Sequence, residues 1–135
     1  MYRLPSHCRA VSRGLAWIGI IAIVILSVVP ATQRPVTGTG QWFEHFAAFA
    51  LVAGAFAVGY RLSLIRFLLL AFLFCGIVEL LQVPLPTRHA RLSDFLVDCF
   101  GSCVAIVLIW VGDKLIFSYG LYSGRTSVRV GLEAS

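Results

Sequence analysis

The sequence predicts an all-α integral membrane fold, a four-transmembrane-helix bundle with both termini in the cytoplasm. Three observations carry this reading. Of 135 residues, 59% are hydrophobic and 13% charged, against roughly 25% charged in a soluble domain; so few charges do not cover the surface of a small protein in water. The apolar residues fall into four runs divided by short polar or proline-containing segments. The basic residues are shared unequally between the two sides that four alternating crossings create.

The first helix is expected at about 14–31. Its run is uncharged over residues 14–33 and follows Arg3, Arg9 and Arg13, and it reaches the ~20 residues that a bilayer requires. Val29-Pro30-Ala31 has the look of a signal-peptide cleavage site, but further apolar runs follow, so an uncleaved first helix is the simpler reading. The second helix, about 43–60, carries Ala47, Ala50, Ala53, Gly54 and Ala57. Small residues at such spacing let helix backbones approach closely, which places this helix centrally. The third, about 64–83, ends where Pro84 and Pro86 cannot continue it. The fourth, about 92–115, closes near Asp113 and Lys114. Residues 1–117 form the transmembrane domain on this reading, and the Gly-, Ser- and Arg-containing segment 118–135 is a solvated cytoplasmic tail.

With the N-terminus inside, Arg3, Arg9, Arg13, Arg61, Arg66, Lys114, Arg125 and Arg129 lie on the inner side, and Arg34, Arg88 and Arg91 on the outer, eight against three. That asymmetry orients the chain with both termini cytoplasmic and leaves 31–41 and 84–91 as outer loops. The net charge of +5 is scattered in ones and twos between apolar runs, which is not the basic patch of a nucleic-acid-binding protein. Cys75, Cys99 and Cys103 lie within apolar runs, and no His or second Cys pair stands at metal-ligand spacing. The cysteines read as small buried hydrophobes, and neither a metal nor a cofactor is implied.

The uncharged stretches 46–60, 67–78 and 99–112 hold 15, 12 and 14 residues, each short of the ~20 needed to cross. The helices must therefore carry charge into the membrane or its interface. Following the chain direction, Glu44 and His45 sit at the outer end of the second helix, Glu79 and Gln82 at the outer end of the third, and Asp94 and Asp98 at the outer end of the fourth. Arg88, His89, Arg91 and Ser93 lie in or beside the connecting loop. At ~1.5 Å per residue, Glu79 lies about 6 Å below the end of its helix. Carboxylates at such depth face the bundle interior and find partners, and Arg88 or Arg91 is the expected partner of Glu79, Asp94 or Asp98. These groups either lock the helices in register or line a shallow outward-facing pocket.

The same residues carry a resemblance. Trp42-Phe43-Glu44-His45-Phe46-Ala47-Ala48-Phe49 opens a small-residue helix, and Glu79-Leu80-Leu81-Gln82 is followed by Pro84, Pro86, Arg88, Arg91, Ser93, Asp94, Asp98 and Gly101. The two segments resemble the acidic-x-x-His-Phe pattern and the Glu-x-x-Gln, Arg, Ser/Asp and Asp/Asn-x-x-Gly string of the VanZ-like family, small polytopic bacterial membrane proteins. The similarity covers about residues 15–112. Here the acid directly precedes the histidine, and Asp98 stands where the family usually has Asn. The resemblance implies a bacterial cytoplasmic (inner) membrane location and a link to the cell envelope or to resistance to teicoplanin-type glycopeptide antibiotics. It implies no mechanism.

The expected function is a non-catalytic accessory one. Glu44, His45, Glu79, Gln82, Arg88, Arg91, Ser93, Asp94 and Asp98 would form an outward polar pocket for membrane lipid, a lipid-linked cell-wall precursor or a lipoglycopeptide, in a monomer or an oligomer. The alternative is an intramembrane enzyme acting on an envelope lipid. Glu79, Asp94 and Asp98 would then be its acids and bases, and Arg88 and Arg91 its phosphate clamp. Against catalysis, no Ser, Cys or Lys is placed as an activated nucleophile. A channel is disfavoured because the segments 67–75 and 106–110 give the inner halves nothing to hold an ion.

Overall fold

A computed structural model describes residues 5–30, 38, 40–84 and 91–133 and contains four α-helices. They are α1 (Ser6–Val28), α2 (Gln41–Gly59), α3 (Leu64–Gln82) and α4 (Leu92–Glu133). No strand occurs among the described residues. All four helices are long and apolar enough to cross a membrane, α4 through its segment Leu92–Ile116. At ~1.5 Å rise per residue, the 19 residues of α2 and of α3 reach about 28 Å, close to the ~30 Å of a hydrocarbon core.

Two helix boundaries differ from those expected. α1 begins at Ser6 rather than near residue 14, because its polar first turns are held by α2. Ser12 Oγ donates to the Ala55 carbonyl at 2.9 Å and Arg13 Nε to the Gly59 carbonyl at 2.9 Å. The Arg13 guanidinium also lies 4.9 Å from the centre of the Tyr60 ring. A cation on the last carbonyls of α2 complements that helix's dipole. α4, expected to stop near 115, is helical to Glu133. No proline occurs after Pro86, so nothing in this stretch forces an end. α2 starts at Gln41 because Gly40, at φ 87°, turns the chain in a conformation that a side chain would strain. α3 ends at Gln82, before Pro84, as the prolines require.

α2 and α4 form the central pair and run parallel; α1 packs on the outside of α2 and α3 on the outside of α4, both antiparallel to the pair. One core cluster joins Ile23, Phe49, Cys75 and Val78. A second joins Ala57, Phe67 and Ile106 nearer the other end. The distribution of polarity inverts that of a water-soluble domain. Leu51, Leu69, Phe72, Leu80, Leu96, Phe100 and Leu108 are exposed, whereas Ser27, His45, Gln82, Asp94, Asp98 and Ser102 are buried. Water would oppose both halves of this arrangement, and hydrocarbon favours both.

Candidate polar site at one end of the bundle

The parallel pair sets the geometry. Gln41 and His45 are four apart on α2, and Asp94 and Asp98 are four apart on α4; each pair occupies one helix face. Because the helices run the same way, the two faces meet as two rungs. Gln41 Nε2 donates to Asp94 Oδ2 at 3.2 Å, and His45 Nδ1 lies 3.0 Å from Asp98 Oδ1. With Asp98 ionised, its carboxylate only accepts, so the imidazole proton of this contact resides on Nδ1. Asp98 is 1% exposed and His45 8%, which makes the lower rung a buried ion pair whenever the histidine is protonated.

Gly101 permits this closeness. A Cβ at Gly101 would come within 2.5 Å of the Phe46 carbonyl oxygen, and backbone cannot give way as a side-chain tip can. The glycine sits one turn beyond Asp98, so α4 lies against the α2 backbone just below the His45–Asp98 contact. Below that, Ser102 Oγ is 3.9 Å from Cys75 Sγ on α3.

α3 supplies the third side. Glu79 is half-buried and accepts a hydrogen bond from the Arg91 backbone N–H, immediately before α4 begins. Gln82 is buried at the last turn of α3. Ser93 Oγ donates to Asp94 Oδ1 at 3.2 Å. Glu44 is half-buried in the first turn of α2, where the helix dipole favours an acid. No protein-family model, curated protein or solved structure matches the chain. What this arrangement can do follows from its own chemistry.

Of the nine residues singled out, the structure gathers eight at one end of the bundle: Glu44, His45, Glu79, Gln82, Arg91, Ser93, Asp94 and Asp98. Arg88 lies outside the described residues. The pairing expected of the Arg91 side chain needs correction. Arg91 reaches Glu79 with its backbone N–H, and among the described residues Asp94 accepts from Gln41 and Ser93 while Asp98 meets His45. Arg91 precedes α4 and is exposed, while the two aspartates turn toward α2. Gln41 went unnoticed in the sequence, although its four-residue spacing from His45 repeats that of Asp94 and Asp98. Among the described residues no group of three His, Cys, Asp or Glu side chains is placed to hold a metal.

Proposed function

We propose that the protein is a multi-pass protein of the bacterial cytoplasmic membrane, VanZ-like, with both termini inside. In this reading its polar end faces outward and binds the head group of an amphiphile as a non-catalytic step in envelope maintenance or the response to glycopeptides. The observation that supports it most is the division of the polar end into a buried layer and a rim. Asp94, Asp98, His45 and Gln82 are buried, with His45 held against Asp98 and Asp94 held by Gln41. Glu44 and Glu79 are half-buried and Arg91 and Ser93 are exposed, so this layer can meet a ligand. Two rim acids suit an amine-bearing head group, which lipid-linked cell-wall precursors and lipoglycopeptides both offer.

Binding is tested with the full chain in nanodiscs and a fluorescent lipoglycopeptide added from the side of the polar end. Saturable binding is expected, weakened about tenfold by Glu79→Gln, the loss of ~1.4 kcal/mol that one charge-assisted contact supplies. Unsaturable partitioning, unchanged by Glu79→Gln, would leave the site without a ligand of this class.

Orientation is tested separately. Arg9, Arg13, Arg61, Arg66 and Lys114 lie at the end opposite Arg91, which favours that end as cytoplasmic. Native Cys8 is exposed there. A membrane-impermeant maleimide should label Cys8 only in inverted vesicles. A cysteine replacing Gly38, in a Cys8→Ser background, should be labelled in intact cells. The opposite pattern would turn the polar end toward the cytoplasm.

A further inference from the structure

Two adjoining cavities run from just below the polar site to the opposite end of the bundle. The larger, about 430 Å³, is a cleft between α1 and α3 floored by α2 and α4. Trp17 and Ile20 form one wall, Leu70 and Phe74 the other, and Phe56 and Ile106 the floor. From Phe67 to Ile77 on α3 it extends about 15 Å at ~1.5 Å per residue. Ile23, Cys75 and Val78 pack together with Phe49 at its upper end. Ser102 is the one polar side chain on α4 in its lining, and it is held near Cys75. At the lower end Trp17 Nε1 donates to Tyr60 Oη at 2.9 Å.

The smaller cavity, about 70 Å³, shares Tyr60, Leu62, Phe67 and Ile106 with the cleft. Its character is different, because Arg9, Arg61 and Asp113 reach it. Two cations against one anion leave it a net +1. The Arg9 Nε is shielded from solvent and has no hydrogen-bond partner among the described residues. A buried guanidinium nitrogen without an acceptor is costly, so an acceptor supplied from outside the chain would relieve it. Lys114, 5.4 Å from the ring centre of Trp110, adds positive charge at the rim, because Trp110 also lines the small cavity.

We infer that the cleft and the small cavity together form a site for one anionic glycerophospholipid, with an acyl chain lying between α1 and α3 and the phosphate accepted by Arg9 and Arg61. The chain-shaped apolar space, the positive cavity beneath it and the unmet Arg9 Nε point to the same occupant. A zwitterionic lipid fills the cleft equally well but carries a choline that the arginines repel. The site rests on the reading of the chain as membrane-spanning, not on the ligand proposed for the polar end.

Native mass spectrometry of the full chain, with equimolar phosphatidylglycerol and phosphatidylcholine added in detergent, tests it. One bound phosphatidylglycerol per chain is expected, favoured over phosphatidylcholine. Arg9→Gln and Arg61→Gln should each reduce that preference about fivefold, as a single cation near anionic lipid does. Ala71 lines the cleft, and Ala71→Phe should abolish retention of both lipids, with Ala71→Leu weakening it if the larger ring impairs folding. Glu79→Gln should leave the bound lipid unchanged, which separates this site from the polar end. Equal retention of the two lipids overturns the inference. So does a preference that survives both arginine substitutions, or a dimer without lipid that Ala71→Leu dissociates, which would make a second copy the occupant.

Discussion

Gly101→Ala is expected to cost about 1–3 kcal/mol by overpacking, and Gly101→Val to leave little folded protein. The added Cβ would stand 2.5 Å from the Phe46 carbonyl oxygen and 3.2 Å from its carbonyl carbon and Cα. All three are backbone atoms of a helix, so relief requires α2 and α4 to separate. Separation at that level stretches the 3.0 Å His45–Asp98 contact one turn away. The loss therefore combines steric repulsion with a weakened buried pair. Thermal denaturation followed by fluorescence-detected size exclusion measures it as a fall of several degrees. Gly14 and Gly112 supply the comparison, since a Cβ at either meets nothing within 4 Å. There alanine should be neutral or raise stability by ~0.5–1 kcal/mol, the usual gain for relieving glycine in a helix. If Gly101→Ala behaves like Gly14→Ala, the close approach of α2 and α4 is not a property of the protein.

The four helices were legible because helices able to cross a membrane need only length, low charge and prolines or polar breaks between them. α2, α3 and the start of α4 lie within two residues of their expected positions. The start of α1 was missed because an apolar run marks where a helix enters hydrocarbon, not where its backbone begins. Ser12 and Arg13 extend the helix by bonding to α2 carbonyls, and no sequence period encodes that contact. The level of the polar residues was also readable, since it depends only on chain direction. Their pairing was not. Charge complementarity suggested arginine for the aspartates, whereas burial decided the matter. A guanidinium at the start of α4 stays at the surface, and the aspartates find the polar face of the neighbouring helix. The matching four-residue spacings of Gln41/His45 and Asp94/Asp98 held that information, and alternation already made α2 and α4 parallel, but using it required knowing that the two are neighbours. Which helices touch is a fact of tertiary structure that hydropathy does not contain.

The second large effect is expected at the His45–Asp98 rung, and it separates support from function. Removing one partner leaves the other buried: Asp98→Leu takes the acceptor from His45 Nδ1, and His45→Leu takes the donor from a carboxylate that is 1% exposed. Each single change should cost ~3–5 kcal/mol, the penalty for breaking a buried pair from one side. Replacing both with leucine removes the polar groups together. Buried ion pairs exchanged for apolar side chains are often neutral or more stable, so the double variant should recover much of what either single change loses. Asp98→Asn should stay near the wild type, because the Asn carbonyl oxygen still accepts from His45 Nδ1. Thermal stability of the four variants in one detergent gives the coupling directly. A coupling near zero would mean that the two side chains do not share a bond in the folded protein. The double leucine variant then carries the functional question. If it folds and still binds the amphiphile, the rung only sets register and the rim acids Glu44 and Glu79 suffice for the ligand. If it folds and no longer binds, the charge or proton held between α2 and α4 belongs to the site itself, and the bundle retains buried acids in spite of their energetic cost because the ligand requires them.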